Sequence, residues 1–331
     1  MQFRTLIWAA GVAATASLAT PMAKAETELT LVYPFPDFLI YTKLCKQLVG
    51  KINDAGKGVV KIKILPFNSI GMFKQPPAVK AGRVDLACTP AAFYARGLPE
   101  AEAVATSNSS PLAVRVNGGL KLLDDLHQKH FNMKYLGWTD SGARFRIYMK
   151  IAPKFTSGGL VDFTGVKLRD NPIYGAFFRA MKATTHSLPA TAVYSALEKG
   201  VVDAAAWATV GIQGLKWDKF LRHAVEPEFF QTDIGWIMNL DKWKSLDSKS
   251  QNLLQLAVIG QEAVGRATLQ GMANAERKKL KAEGMKFYSA PNPKAYFKLA
   301  VDSAYQRMTD RLKKTKRGTG NVAKLRAMWQ K

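Results

Sequence analysis

Twice along this chain, short β-branched or apolar runs alternate with segments whose apolar residues recur every three to four positions. That alternation constrains the fold more than any other feature. The first set opens with a strand at 29–33, broken by Pro34 and Pro36, and Asp37 is placed to cap a helix over 38–55. A strand at 59–65 follows, in which Val60, Ile62 and Ile64 alternate with lysines, then a helix from Pro76 or Pro77 to Gly82 and a strand at 84–88. After a small, polar stretch from Pro99 to Pro111, residues 118–131 read as helix and 134–139 as strand. A strand at 145–149 is expected to cross into a second unit, where the pattern repeats. Strands near 166–169, 185 and 202–206 there enclose helices over 174–182 and 191–199. Such alternation builds largely parallel sheets with helices on their faces.

Asp247 or Ser248 then caps a helical stretch over 251–282, with Leu253, Leu256, Ile259, Ala263 and Ala267 at spacings of three and four. A helix this long exceeds the diameter of one lobe, so it is expected to brace two. A strand at 286–288, a helix over 293–314 and a short basic tail complete the chain. The fold class is therefore α/β with two lobes, each a mixed, mostly parallel sheet flanked by helices. Residues 26–145 form the first lobe, joined by later segments, and 146–245 the second; 246–331 supply the long helix and C-terminal helices packing on both.

Residues 1–25 carry Arg4, an apolar stretch from Leu6 to Ala19 and then Ala23-Lys24-Ala25, the pattern of a secretory leader with its small-x-small cleavage site. The apolar run falls short of the roughly 20 residues a membrane-spanning helix needs. The mature chain is expected to begin at Glu26 and to work outside the cytoplasm. The formal net charge is +23, of which only Arg4 and Lys24 belong to the leader. The basic residues are spread along the chain without the interleaved aromatics of a nucleic-acid module, so no nucleic-acid partner is expected. A positive field of this size enriches anionic solutes near the surface. Cys45 and Cys88 lie in apolar segments, and in an oxidising compartment they either pair or stay buried as free thiols.

No Gly-x-Ser-x-Gly elbow, phosphate loop or dinucleotide turn is present, so no cofactor is expected and enzyme function is not indicated. His127 and His130 lie three apart on the 118–131 helix. With no third ligand at metal-binding spacing they read as a solvated pair, and no metal site is expected. An exported enzyme acting on an organic acid, or a receptor presenting a ligand to a sensor protein, are the alternative readings.

The run Asp162-Phe163-Thr164-Gly165-Val166-Lys167-Leu168-Arg169 is followed by Pro172, Pro189, Tyr194, Ala196, Leu197, Gly200, Val202 and Asp203. This set is similar to the signature of the TRAP-transporter solute receptors, the periplasmic components of tripartite, ion-driven organic-acid importers. Asn68-Ser69-Ile70-Gly71, Ala81-Gly82-Arg83-Val84-Asp85 and Met238-Asn239-Leu240-Asp241-Lys242-Trp243 extend the resemblance over most of the mature chain. It implies a two-lobed periplasmic-binding-protein fold, a carboxylate ligand and a membrane permease as partner.

Arg169 follows an apolar strand, so it is expected at the carboxyl end of a sheet, where α/β proteins place ligands. Its planar guanidinium can hold a carboxylate through two parallel hydrogen bonds. Within the resemblance, Arg144 in Gly142-Ala143-Arg144 takes the place of a second arginine, with Arg146 in reserve. Trp207 stands where sialic-acid receptors of the family carry Asn. Tyr33, Phe35, Met72 and Phe73 are expected to supply the first-lobe wall, and Asn171 the turn after Arg169. Such walls suit a monocarboxylate or 2-oxo acid with an apolar or aromatic tail, because unpaired hydroxyls or a second charge would each cost roughly 1–3 kcal/mol. Arg169→Ala is expected to abolish binding and leave the melting temperature nearly unchanged.

Overall fold

In the computed structural model, which describes residues 26–330, the two strand–helix sets form two separate sheets. The expected leader lies outside the described residues. In the first sheet β1 (Thr27–Val32), β2 (Val60–Ile64) and β3 (Leu86–Pro90) run parallel, connected by α1 (Ile40–Ala55) and α2 (Gln75–Lys80). The alternation in β2 does what its pattern predicts: Val60 and Ile62 are buried while Lys61 and Lys63 face water. Three short helices, α3 (Glu102–Thr106), α4 (Pro111–Val116) and α5 (Gly119–Phe131), lead to the edge strand β4 (Met133–Asp140).

The chain then crosses over as β5 (Arg144–Met149). After a small hairpin of β6 (Lys154–Phe155) and β7 (Val161–Asp162) come β8 (Lys167–Asp170), α6 (Gly175–Ala180), β9 (Thr184–Ser187), α7 (Ala190–Glu198) and β10 (Ala204–Ala208). Two long strands follow. β11 (His223–Gln231) stays in the second sheet, whereas β12 (Ile234–Asn239) returns to the first between β3 and β4. The sheet orders are β2-β1-β3-β12-β4 and, with β13 (Lys286–Ser289), β13-β11-β5-β10-β8-β9. Both sheets are mixed: β12 is antiparallel to β3 and β4, and β5 is antiparallel to β10 and β11.

The two crossings between sheets, at 141–143 and 232–233, lie side by side. Thr232 ties them, its N–H donating to Ala143 O at 3.0 Å and its hydroxyl to Asp140 O at 2.6 Å. Asp140 and Asp233 are buried there, and loss of hydration raises each carboxyl to about 7.

After α8 (Leu240–Ser245), α9 (Ser248–Ala282) spans about 52 Å at 1.5 Å per residue. Asp247 caps it by accepting from Ser250 N at 2.8 Å. The helix holds both lobes, as its length required. In the first, Glu262 takes Arg115 Nε at 2.6 Å and Trp138 N at 2.9 Å; in the second, Arg277 Nε meets Glu226 at 2.9 Å and Glu276 accepts from Gly211 N at 2.7 Å. Gly265 is required on this path, since a Cβ there would stand 2.0 Å from Thr139 O. α10 (Pro293–Lys314) likewise packs on α3 of the first lobe and α6 of the second. Among the described residues no helix is long and apolar enough to cross a membrane.

Several expectations need correction. Asp37 does not cap α1, which begins at Ile40 behind Leu39; its carboxylate instead accepts from Tyr33 OH at 2.7 Å and pairs with Lys46 at 2.9 Å. The basic tail contains a further helix, α11 (Gly320–Trp329), because Trp329 and Leu325 have an apolar slot to fill: both are fully buried and Trp329 packs on Trp138 at 5.9 Å. His127 is not solvated. It lies fully buried between Tyr94 OH at 2.9 Å and Leu123 O at 2.7 Å, and desolvation lowers its pKa to about 4. Only His130 of that pair is exposed. Strands β11 and β12 escaped the sequence reading: β11 carries Glu226-Pro227-Glu228 at a register shift that breaks alternation, and β12 is buried at every position. Cys45 and Cys88 are both buried free thiols.

Candidate functional site

Arg169 is the third residue of β8, level with Ala205 of β10 and His186 of β9. Its side chain is 2% exposed. Asn171 turns the chain immediately afterwards by accepting from Ile173 N at 2.9 Å, and the new helix α6 begins behind Tyr174. That turn brings the Tyr174 hydroxyl onto Arg169 Nη1 at 2.5 Å, while the hydroxyl itself donates to Ala206 O at 2.6 Å. Burial raises the Tyr174 phenol to about 12, against the pull of Arg169. On the other edge Nε and Nη2 both donate to Leu188 O, at 3.0 and 2.7 Å. The face of the guanidinium lies 5.7 Å from the Trp217 ring centre.

Of the five N–H groups of Arg169, one on Nη2 has no acceptor among the described residues, and the Nη1 contact to Ala206 O is long at 3.4 Å. No carboxylate pairs with it among the described residues. The other fully buried arginine, Arg146, is neutralised by Glu226 and Glu228, and the half-buried Arg307 pairs with Glu102 at 2.9 Å. The fork envisaged from the sequence is thus half occupied by the protein. What remains open is the Nη1–Nη2 edge.

From Arg169 an unbroken run of aromatic contacts crosses to the first lobe. Trp217 meets Trp207 at 5.0 Å, Trp207 meets Phe35 at 6.0 Å, Phe35 meets Phe93 at 6.1 Å and Phe93 meets Phe73 at 4.8 Å. Edge-on geometry recurs at each step, the arrangement favoured by ring quadrupoles. Trp207 and Phe35 are buried and Phe73, at the far end, is exposed.

A cleft of about 860 Å³ opens between the lobes beside Phe73. Phe73, Phe93 and Tyr94 form its first-lobe wall, and Asp170, Asn171 and Ser187 its second-lobe wall. Arg169 lies one residue behind that wall. Lys80, Arg96, Arg179, Arg307 and Arg311 also line it, a cationic set that the sequence reading did not assign. Arg307 Nε and Arg311 Nη1 converge on Glu102 Oε1 at 2.9 and 2.6 Å. Glu102 is 1% exposed, and burial raises its pKa although both arginines oppose this.

The structure thus joins Arg169, Trp207, Phe35 and Phe73 in one contact path and puts Asn171 in the cleft wall. It does not bring the remaining expected residues to them. Tyr33 is turned to Asp37, Lys46 and Phe67, and Met72 is half-buried against the first-lobe core. Arg144 stands four residues along β5 from Tyr148, the position level with Arg169 through Ala205, roughly 13 Å by strand rise. Its guanidinium lies over Phe297 of α10 at 5.4 Å. Arg146, two residues on, faces Phe287 and the two glutamates. Tyr174 and Trp217 were missed. Tyr174 stands five residues after Arg169, but nothing in the local sequence marks its reach back to the guanidinium.

Two α/β lobes, joined by two adjacent strand crossings and a bracing helix around a cationic cleft, define a two-lobed solute receptor. The chain belongs to the bacterial extracellular solute-binding proteins, family 7 (DctP), whose model matches residues 36–312. This is the family of TRAP-transporter solute receptors, which act outside the cytoplasm with membrane permeases. A monocarboxylate 2-oxoacid-binding periplasmic protein of Nostoc is 23% identical over 214 residues, 60% of this chain and 57% of that protein, so the match spans little more than half of the relative. Among solved structures, a TRAP solute-binding protein of Desulfovibrio salexigens with bound orotic acid superposes with TM-score 0.79 at 17% identity, covering 92% of this chain and 99% of that one. A Bordetella pertussis receptor binding pyroglutamic acid gives 0.73 at 16%, with coverage of 92% and 99%. These likenesses establish the fold.

Proposed function

We propose that this receptor captures a monocarboxylate or 2-oxo acid with an apolar or aromatic tail and delivers it to a TRAP membrane permease in the periplasm. The observation that carries this reading is Arg169, a buried guanidinium with no carboxylate partner among the described residues. Burying an unneutralised cation costs several kcal/mol, and an anionic ligand on its open Nη edge offsets that cost. Tyr174 and Leu188 hold the guanidinium plane, so the edge is aimed before the ligand arrives. The tail lies along the aromatic run, with Trp207 and Phe35 flanking the carboxylate end and Phe73 nearest solvent. Access requires the Phe35–Trp207 contact between lobes to part, which is the motion a two-lobed receptor performs. Arg144 assists through its charge on the same strand system and not by direct contact. The relative described as binding monocarboxylate 2-oxo acids supports the ligand class.

A thermal-shift screen tests the reading, with aromatic and aliphatic 2-oxo acids beside sugar acids and dicarboxylates, followed by calorimetric titration of the hits. Stabilisation by 2-oxo acids that grows with tail size is the expected result. Hits confined to dicarboxylates or sugar acids would overturn the tail assignment, and no carboxylate hit at all would overturn the clamp.

A further inference from the structure

Beyond Arg169, the interlobe cleft holds an arrangement that carboxylate capture at that residue does not use. Arg96 follows β3, Arg179 ends α6, and Arg307 and Arg311 stand one turn apart on α10, yet all four line one cleft together with Lys80. Against these five cations the same cleft presents Asp170, with Glu102 buried behind it. Glu102 is already shared by Arg307 and Arg311, and Asp170 Oδ1 makes no hydrogen bond. Arg96 and Arg179 are exposed and have no ion-pair partner among the described residues. The arginines feel one another: besides burial, the charges of Arg307, Arg179 and Arg96 lower the proton affinity of Arg311, against Glu102. Arg307 further reaches across the lobes, its Nη2 donating to Ile173 O at 3.1 Å, so the cluster sits on the seam.

Like charges gathered in a partly desolvated cleft repel unless an anion joins them, and guanidinium groups match oxyanions in geometry. We infer that Arg96, Arg179 and Arg311, backed by Lys80, form a second oxyanion subsite in the interlobe cleft, separate from Arg169. It takes a phosphate or carboxylate group, either as a free anion bound beside the ligand or as the second anionic group of the ligand itself. The free-anion arm does not depend on the assignment of Arg169, whereas the second-anion arm rests on that grip and would replace the monocarboxylate with a dianionic ligand.

Inorganic phosphate and glutarate are the probes, each compared with sodium chloride at matched ionic strength, with melting temperature and calorimetric titration as readouts. A subsite with a dissociation constant of about 0.1 mM predicts a rise on the order of 5 °C at roughly 10 mM phosphate. The double variant Arg96→Gln/Arg179→Gln alters two exposed side chains, so folding is retained, and it should lose most of that rise. Lys313→Gln/Lys316→Gln removes equal charge outside the cleft and should keep it. Persistence of the phosphate response in Arg169→Met separates the subsite from the carboxylate grip. Alternatively, an approximately tenfold loss of glutarate affinity in the Arg96/Arg179 variant, without saturable phosphate binding, assigns the subsite to the ligand's own second anion. If neither probe distinguishes that variant from the wild type, the inference is overturned.

Discussion

Replacing Arg169 by Met keeps an unbranched stem against Trp217 and removes every guanidinium donor. Two donors matter to a ligand: the Nη2 N–H that has no acceptor among the described residues, and the Nη1 N–H now spent on the long 3.4 Å contact to Ala206 O. Charge-assisted hydrogen bonds contribute about 1.5–3 kcal/mol each. One or two of them place the loss at about 2–5 kcal/mol, or roughly 30- to 5,000-fold in Kd. Stability will not be untouched, as the sequence alone suggested. Leu188 O loses both its Arg169 donors, at about 1 kcal/mol for a partly buried acceptor, while removal of an unneutralised buried cation works the other way. The net fall in Tm is therefore expected to be a few degrees, at about 2–4 °C per kcal/mol for chains of this order. Calorimetric titration of the folded variant with the best carboxylate from the screen measures the loss. A Kd within threefold of wild type, on protein whose circular dichroism shows a native fold, would refute the clamp.

Tyr174→Phe removes the hydroxyl that fixes Nη1 without reaching the ligand directly, so affinity should fall about tenfold or less, and a loss matching Arg169→Met would contradict a positioning role. Arg146→Ala leaves Glu228 without its arginine and Glu226 with Arg277 alone, and should destabilise by about 3 kcal/mol in urea titrations, while folded protein binds the acid within a few-fold of wild type. Trp329→Ala empties a buried slot and should lower stability by about 3–5 kcal/mol; a change below 1 kcal/mol would mean α11 is not docked in solution. Asp140 has its carboxyl raised to about 7, so the native state holds a proton there that the unfolded chain releases near pH 4. Its contribution to stability is fully present below about pH 4 and declines as pH rises towards 7. Asp140→Asn should therefore raise stability at pH 8 relative to pH 5, measured by denaturant unfolding at both, and the opposite sign would contradict the burial of a charged carboxylate.

The sequence by itself determined the strand–helix alternation, the long helix with a cap at Asp247 or Ser248, and Arg169 at the end of an apolar strand. These are local properties, written in periodicity, capping chemistry and a compact motif. It could not show β11 and β12 as the strands that hand the chain between sheets, because a fully buried or bulged strand lacks the alternation that marks a half-buried one. Nor could it show that His127 is packed against Tyr94 or that Trp329 anchors a helix, since burial depends on which surface arrives opposite. The site divides in the same way. The motif shared with the family singled out Arg169 and, by its register, Trp207 as candidates, and the composition of the first-lobe loops offered Phe35 and Phe73. Only the tertiary structure decided that Tyr174 and Leu188 take part of the guanidinium, that Arg144 and Arg146 part company two residues from each other, and that arginines from the loop after β3, from α6 and from α10 share a cleft. Donor geometry and charge clustering are relations between segments far apart in the chain, and they exist only once the lobes have met.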